Sequence, residues 1–152
     1  MIDIVSAETR SRMMSGIKGK NTKPEMAVRR YLHSLGYRFR LHQKDLPGRP
    51  DLVLSKYKIA IFVHGCFWHC HKGCFYSRMP KTRAEFWAEK LGKNVVRDSL
   101  QISALNAIGW RVIIVWECGI KHGLEHINCL NDIISSSNNF LDIWPSNPPR
   151  PS

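Results

Sequence analysis

The sequence predicts one α/β domain in which a mixed β-sheet is flanked by helices. Two short apolar runs joined by a three-residue turn, residues 51–54 and 58–63, are typical of a β-hairpin and therefore of antiparallel pairing. A long helical segment then precedes a third apolar run, residues 110–116, and a helical crossover of this kind permits parallel pairing. The chain has 152 residues, 43% of them hydrophobic, which is enough for one domain with its own core.

The first predicted helix begins after Thr22, whose hydroxyl suits an N-cap. Pro24 is favoured in the first helical turn, and Glu25 complements the positive end of the helix dipole. Gly36 follows a series of apolar residues at helical spacing and is expected to end the helix. Residues 1–23 are polar with few apolar anchors and are predicted to be weakly ordered.

Residues 37–42 alternate as a strand does, and the two strands of the hairpin follow after a loop rich in Pro and Gly. If residues 55–57 form the hairpin turn, Asp51 faces Ile61 across the strands. The backbone carbonyl of Val63 then lies next along the same edge of the sheet, so the Asp51 carboxylate and this carbonyl are predicted to reach a common metal ion.

A long helix is predicted after the hairpin. Thr82 and Glu85 have the spacing of a capping box, and helical periodicity continues to about Ala107, with a break expected at Gly92. The run at residues 110–116 is apolar apart from one arginine and predicts a buried strand.

The last predicted helix is amphipathic and lies around residues 124–134. Four of the eight prolines fall after residue 138, so the C-terminal tail is predicted to be loose.

The net charge of +11 is concentrated in the N-terminal third of the chain. Residues 10–49 contain eleven Lys or Arg against Glu25 and Asp45, and so contribute +9. A concentrated positive field favours a polyanion, most commonly nucleic acid, although a basic protein that is merely soluble is the alternative. No apolar run approaches the roughly 20 residues of a membrane span. The start lacks the features of a signal peptide, so we expect a cytoplasmic protein with no membrane partner.

Residues 65–74 hold three of the five cysteines, two of the seven histidines and an adjacent Phe-Trp pair. In a reducing compartment such a cluster indicates a metal rather than a disulfide, and four nitrogen or sulfur ligands suit a closed, structural zinc site. Spacing alone does not choose the four, and ordinary thiols are the alternative. The candidate ligands are Cys66, Cys70, His71, Cys74 and Cys118.

A second group of residues suggests hydrolytic chemistry. Asp51 lies among cations at a predicted strand start, where a carboxylate can hold Mg²⁺. His64 and His69 follow the next strand, and a neutral imidazole can take a proton from water near pH 7. Asp98 on the long helix can orient one of them. A cap or a solvated side chain for the Asp, and a further ligand of the metal cluster for a His, are the alternatives. Together the residues predict metal-assisted phosphodiester hydrolysis.

These motifs closely resemble those of the very short patch repair mismatch endonucleases. The resemblance spans about residues 9–118 and rests on Thr9-Arg10-Ser11 and residues 46–51, 61–69, 86–87, 92–94, 97–98, 109–112 and 115–118. It implies a restriction-endonuclease-like fold with a structural zinc site. It also implies an enzyme that nicks DNA 5′ to the thymine of a T:G mismatch, the product of 5-methylcytosine deamination, to begin very short patch repair.

The resemblance also implies roles for the catalytic residues. Asp51 and the main-chain carbonyl of Val63 would bind Mg²⁺, and His69 would be the general base, oriented by Asp98. The usual Glu-x-Lys part of the nuclease signature is absent here, as in the family. Two further residues would act through metal-bound waters, namely His64 and Glu25.

Two more sets of residues follow from the resemblance. The zinc ligands would be Cys66, His71, Cys74 and Cys118, with Cys70 as a competing ligand. The aromatic residues that wedge into the duplex beside the mismatch would be Phe67, Trp68 and Trp87, with Met14 entering from the opposite groove.

The expected organisation is therefore a flexible N-terminal arm that contacts DNA (residues 1–20), an endonuclease domain (residues 21–137) and a loose tail (residues 138–152). We expect a monomer whose partner is double-stranded DNA with a T:G mismatch, with repair proteins as further partners. The main alternative is a non-catalytic zinc module that binds DNA and recruits repair proteins. A small-molecule zinc hydrolase would instead need an open zinc position.

Overall fold

The computed structural model describes residues 21–123 and 126–149. The predicted N-terminal arm, residues 1–20, lies outside the described residues. The same is true of Met14 and of the Thr9-Arg10-Ser11 motif.

The prediction of a mixed α/β domain is confirmed. The elements follow the order α1 (Lys23–Ser34), β1 (Arg40–Leu41), β2 (Leu52–Leu54), β3 (Ile59–His64), α2 (Ala84–Ala107), β4 (Arg111–Trp116), α3 (Glu117–Lys121), α4 (Asn128–Ser136) and β5 (Leu141–Trp144). One five-stranded sheet has the strand order β1-β2-β3-β4-β5. The first three strands pair antiparallel, and β3, β4 and β5 pair parallel.

The sheet separates two apolar layers because successive side chains of a strand point to opposite faces. Along β4, Ile113 and Val115 pack against residues of α1 and α4, whereas Val112 and Ile114 pack against Leu105 of α2. Helices therefore cover both faces of the central strands. The candidate functional side chains lie at the strand ends and in the loops.

Helix α1 begins and ends as the sequence predicts. Thr22 is the N-cap, and its hydroxyl accepts a hydrogen bond of 3.3 Å from the backbone N–H of Glu25. Gly36, with a φ of +86°, takes the left-handed conformation that follows a helix end. The cap holds Glu25 at the start of the helix, where it faces the sheet.

The predicted hairpin register is wrong by one residue. Leu52 pairs with Ile61 and Leu54 with Ile59, so Asp51 does not face Ile61. Lys58, which was expected to begin the second strand, adopts a left-handed conformation and belongs to the turn. This longer turn moves Asp51 along β3, to a position beside Val63.

Helix α2 starts later than predicted, and its start differs from the predicted capping box. The N-cap position is Arg83, which makes no side-chain cap hydrogen bond, so the capping box expected from Thr82 does not form. The helix runs unbroken through Gly92 to Ala107. The strand predicted over residues 37–42 is likewise shorter, with only Arg40–Leu41 paired.

The prediction of a loose tail is wrong for Leu141–Trp144, which forms the edge strand β5. Trp144 is 4% exposed, and its indole N–H donates a hydrogen bond of 3.1 Å to the carbonyl of His126. Gly119 is needed for this packing, since a Cβ there would lie 2.7 Å from the Trp144 ring. The sheet therefore extends beyond the boundary expected at residue 137.

No helix in the described part of the chain is both long and apolar enough to cross a membrane.

Candidate active site and metal centre

A cleft of about 680 Å³ opens at the end of the sheet where β3 finishes. Antiparallel β2 begins at this same end, so the residue before β2 and the residues after β3 meet there. The cleft is lined by acidic residues, imidazoles, aromatic rings and cations, including Glu25, Arg49, Asp51, His64, Phe67, Trp68, His69, Lys90, Arg97 and Asp98.

Asp51 lies at the floor of the cleft. Its Oδ2 accepts a hydrogen bond of 2.7 Å from the backbone N–H of Val63, the residue with which it was predicted to share a metal. Burial raises the pKa of Asp51 to about 6, and the neighbouring Glu25 carboxylate adds to this rise, although the Val63 N–H partly offsets it. A cation beside this carboxylate would favour its charged form.

Glu25 reaches the same floor from the first turn of α1 and is 2% exposed. Its Oε2 accepts from Arg29 Nη1 at 3.1 Å and lies 3.0 Å from His42 Nε2. One ligand atom from each of Glu25, His42 and Asp51 lies within 4.8 Å of the others. Two carboxylates held this close in a cleft fit a divalent cation, which prefers oxygen ligands.

His69 and Asp98 form a hydrogen-bonded pair on the other side of the cleft. His69 Nδ1 lies 2.6 Å from Asp98 Oδ2, a distance typical of a charge-assisted hydrogen bond. Because the carboxylate accepts a hydrogen bond from Nδ1–H, Nε2 of His69 is left as the atom that can accept a proton. The pair therefore has the arrangement of an oriented general base.

His64 lies directly against His69. The two rings are stacked, with their centroids 3.7 Å apart and an angle of 5° between their planes. Burial holds the pKa of His64 well below its ordinary value, and the nearby His69 lowers it further. His64 is thus neutral near pH 7 and limits how the His69 ring can turn.

The cluster of cysteines and histidine forms where β3 and β4 end. In the parallel register His64 pairs with Trp116, so Cys66 and Cys118 each follow their strand by two residues and lie side by side. The loop after β3 turns back through a hydrogen bond of 2.9 Å from His71 N–H to the Cys66 carbonyl. Four buried ligand atoms lie within 4.8 Å of one another, those of Cys66, His71, Cys74 and Cys118.

This donor set fits zinc. At tetrahedral zinc, a thiolate sulfur and an imidazole nitrogen are about 3.6 Å apart. Cys118 Sγ and His71 Nδ1 are 3.5 Å apart. The contact with Cys118 raises the pKa of Cys66, and burial raises that of Cys74 and lowers that of His71. Without a cation these shifts favour the thiol forms of Cys66 and Cys74 and the neutral ring of His71, and a bound metal would displace the thiol protons.

Cys70 lies outside this cluster. It has a φ of +53°, and its Sγ is 3.9 Å from the carbonyl of Leu91 on α2. The Cys70 thiol therefore lies against α2, and it is not among the grouped ligand atoms of Cys66, His71, Cys74 and Cys118. The structure thus brings Cys118 to the other three ligands, and not Cys70.

The three predicted wedge residues form one aromatic group beside the cleft. The ring centroid of Phe67 is 5.1 Å from that of Trp68 and 5.4 Å from that of Trp87, and all three are partly exposed. Trp68 and Trp87 are 5.9 Å apart. The tilted contacts hold the rings as a unit between the loop and α2.

Helix α2 also holds the backbone of the aromatic loop. Asn94 Nδ2 donates a hydrogen bond of 3.0 Å to the Trp68 carbonyl, and Asn94 Oδ1 accepts one of 2.7 Å from Arg97. Asp98, which holds His69, lies one turn further along the same helix. One helix therefore positions both the aromatic group and the His69 imidazole.

Three further residues of the site were given no role from the sequence, although Trp116 and Glu117 lie in the run 115–118 that carries part of the family resemblance. His42 ends the predicted strand at residues 37–42 and contacts Glu25 only after the loop folds back. Trp116 stacks on the His71 ring, with the ring centroids 4.1 Å apart and an angle of 4° between the ring planes. Glu117 accepts a hydrogen bond of 3.2 Å from Cys66 N–H. The parallel register explains the last two contacts.

A sequence model of a protein family, described as DNA mismatch endonuclease Vsr, matches residues 2–75. The chain is 52% identical to the type II nicking enzyme V.XorIIP of Xanthomonas oryzae pv. oryzae over 121 residues, 80% of this chain and 88% of the relative. It is 47% identical to the DNA mismatch endonuclease Vsr of Escherichia coli over 121 residues, 80% of this chain and 77% of the relative. The type II nicking enzyme V.NmeAIP of Neisseria meningitidis is 46% identical over 122 residues, 80% of this chain and 86% of the relative.

Proposed function

The chain belongs to the Vsr family of DNA mismatch endonucleases, and from this premise we propose that it nicks one DNA strand 5′ to the thymine of a T:G mismatch. Such a nick would begin very short patch repair of deaminated 5-methylcytosine. We include in the proposal a restriction-endonuclease-like fold, a catalytic Mg²⁺, a structural Zn²⁺ and action as a monomer.

One observation carries the proposal: a single cleft contains an acidic pair, an oriented imidazole and an aromatic group. The acidic pair is Glu25 and Asp51, and the imidazole is that of His69. Each group alone has ordinary structural explanations. Together in one cleft, the acidic pair would hold the cation, the imidazole would act as the base, and the aromatic group would probe the base pair. Hydrolysis at a mismatch needs all three.

Each of these residues in the cleft would have its own role in hydrolysis of the phosphodiester bond. Asp51, with the main-chain carbonyl of Val63, would hold Mg²⁺, which supplies positive charge next to the scissile phosphate. His69 Nε2 takes a proton from the attacking water, and Asp98 stabilises the imidazolium that results. Glu25 and His64 orient water in the cleft. The water oxygen bonds to phosphorus as the bond to the 3′ oxygen breaks, and the 3′ oxygen takes a proton from solvent water and leaves as a 3′ hydroxyl.

Basic side chains along the cleft suit a DNA backbone. Arg49, Lys90 and Arg97 line it, and each can face a phosphate. These contacts are independent of sequence and would position the duplex.

The aromatic group would provide mismatch selectivity. Opening a base step costs about a few kcal/mol, and less at a mismatch. Stacking of a base on an aromatic ring returns roughly 1–3 kcal/mol. Phe67, Trp68 and Trp87 would therefore insert more readily at a T:G wobble than at a Watson–Crick pair. Met14, proposed to enter from the opposite groove, lies outside the described residues.

The proposed function is tested by a nicking assay on end-labelled duplexes that differ only at one base pair. With Mg²⁺ present, we expect a single nick 5′ to the thymine of the T:G duplex and none in the T:A or C:G duplex. Salt-sensitive binding without any nick would instead support the non-catalytic DNA-binding module.

Replacing Trp68 with Ala is expected to weaken binding to the T:G duplex more than to the matched duplex. Loss of one stacking contact of roughly 1–3 kcal/mol corresponds to about 5- to 150-fold. The measurement is the dissociation constant for each duplex by fluorescence anisotropy.

Phe140→Ala serves as the matched control, because Phe140 is an aromatic residue 63% exposed that does not line the cleft. It should leave both dissociation constants unchanged. Equal losses on both duplexes in Trp68→Ala would contradict insertion at the mismatch.

A further inference from the structure

His42 is placed beside the two carboxylates of the cleft by its own backbone. It adopts a left-handed conformation with a φ of +48°, and its N–H donates a hydrogen bond of 3.2 Å to the backbone carbonyl of Asp51. Left-handed backbone is uncommon outside Gly, although His is among the residues found there more often. The tether fixes the imidazole beside the Glu25 carboxylate, and the His42 side chain is 14% exposed.

The imidazole nitrogen that faces the Glu25 carboxylate is Nε2. It lies 3.1 Å from Oε1 and 3.0 Å from Oε2 of Glu25. Glu25 Oε2 also accepts from Arg29 at 3.1 Å. Two neighbouring ligands of an octahedral ion, each at about 2.1 Å, are about 3.0 Å apart. The spacing of Nε2 and the carboxylate oxygens therefore matches two ligands of one ion as well as it matches a hydrogen bond.

We propose that His42 Nε2 is a direct ligand of the cation at Asp51, which makes Glu25, His42 and Asp51 a site that binds Mn²⁺ more tightly than Mg²⁺. This inference deepens the proposed function, because the cation is the one that the endonuclease would use. It differs from the ligand set implied by the family resemblance, in which Glu25 acts through water and His42 has no role.

The expected preference for Mn²⁺ over Mg²⁺ follows from the types of ligand atom at the site. Mg²⁺ favours oxygen ligands and keeps much of its water, whereas an imidazole nitrogen suits transition-metal ions. One nitrogen among carboxylate oxygens therefore adds more to the binding of Mn²⁺ than to that of Mg²⁺. Binding requires the neutral ring with its proton on Nδ1, so a Nε2 proton shared with Glu25 would be displaced by the ion.

The experiment uses the full, zinc-loaded chain without DNA and Mn²⁺ as the probe. Electron spin echo envelope modulation of bound Mn²⁺ should show a directly coordinated ¹⁴N in the wild-type protein and none in His42→Gln. The dissociation constant for Mn²⁺ should rise about tenfold in this variant, and that for Mg²⁺, from competition with Mn²⁺, by less than about threefold.

His33→Gln is the matched control, because His33 is exposed on α1 and lies outside the cleft. It should keep the ¹⁴N signal and both affinities. Absence of the signal in the wild-type protein would overturn the inference, and so would its persistence in His42→Gln, which would assign it to another histidine such as His64 or His69.

Failure of this inference can be told apart from failure of the proposed function. If the wild-type protein nicks the T:G duplex in Mg²⁺ but gives no ¹⁴N signal, only the role of His42 is wrong. If the ¹⁴N signal is present and no duplex is nicked, the cation site stands and the proposed endonuclease activity fails.

Discussion

Asp51→Asn should reduce nicking of a T:G duplex by at least about 10³-fold. The amide keeps an oxygen that can accept from Val63 N–H but removes the charge that would hold the cation. Charge stabilisation by a metal contributes several kcal/mol, and each 1.4 kcal/mol corresponds to about tenfold in rate. The measurement is single-turnover nicking, with Mg²⁺ affinity and zinc content determined on the same samples.

The same variant should fold at least as well as the wild-type chain. The pKa of Asp51 is raised in the folded protein to about 6 from 3.8. Its charge therefore lowers the stability of the cation-free protein above about pH 6, and this cost disappears below about pH 4. Asp51→Asn removes the cost, so at pH 8 its Tm should equal or exceed that of the wild type.

Asp45→Asn is the control for this prediction. Asp45 is an exposed carboxylate of the same loop and does not line the cleft. Its replacement makes the same change of charge and should leave nicking, Mg²⁺ affinity and zinc content unchanged. Full nicking activity in Asp51→Asn would overturn the assignment of Asp51 as the cation ligand.

The second large effect is expected at the cysteine cluster. Cys118→Ser should lower zinc content and thermal stability together, because the site links the ends of β3 and β4 to the loop that carries Phe67 and Trp68. The free energy of zinc binding in small zinc domains is about 10–16 kcal/mol, and a part of this would be lost. We expect the free energy of unfolding to fall by several kcal/mol. Elemental analysis and urea denaturation measure the two quantities.

Two cysteines serve as controls. Cys129 is exposed and free, and Cys70 points toward Leu91 on α2. Replacing either with Ser should keep the zinc content at that of the wild type. Full zinc occupancy in Cys118→Ser, combined with loss of zinc in Cys70→Ser, would move the fourth ligand to Cys70.

Local patterns predicted the elements whose signals lie within a few residues. The Thr22 cap and the apolar run of β4 are such signals, and both elements form where they were expected. Local patterns did not predict the elements whose formation depends on a tertiary contact. The tail strand β5 has exposed residues at two of its four positions and gains its place from the pairing with β4 and the burial of Trp144.

The hairpin shows how a single backbone angle can alter a site. A turn one residue longer than predicted, closed by Lys58 in a left-handed conformation, shifts the pairing of β2 with β3. The shift brings Asp51 beside Val63, which is where a shared cation would require it. The register is thus corrected by one residue, and the cation shared by Asp51 and Val63 stays a prediction.

By itself, the sequence determined which kinds of chemistry the chain can carry. Its order of cysteines, imidazoles and carboxylates indicated a zinc-type cluster and a hydrolytic centre, because ligand type and spacing are local properties. The mismatch probe was implied by the family resemblance. Only the tertiary structure decided which residues share a site. It joined Cys118 rather than Cys70 to the cluster and brought His42 to Glu25. The physical reason is that strand register and loop path arise from long-range packing and turn geometry, which no short stretch of sequence encodes.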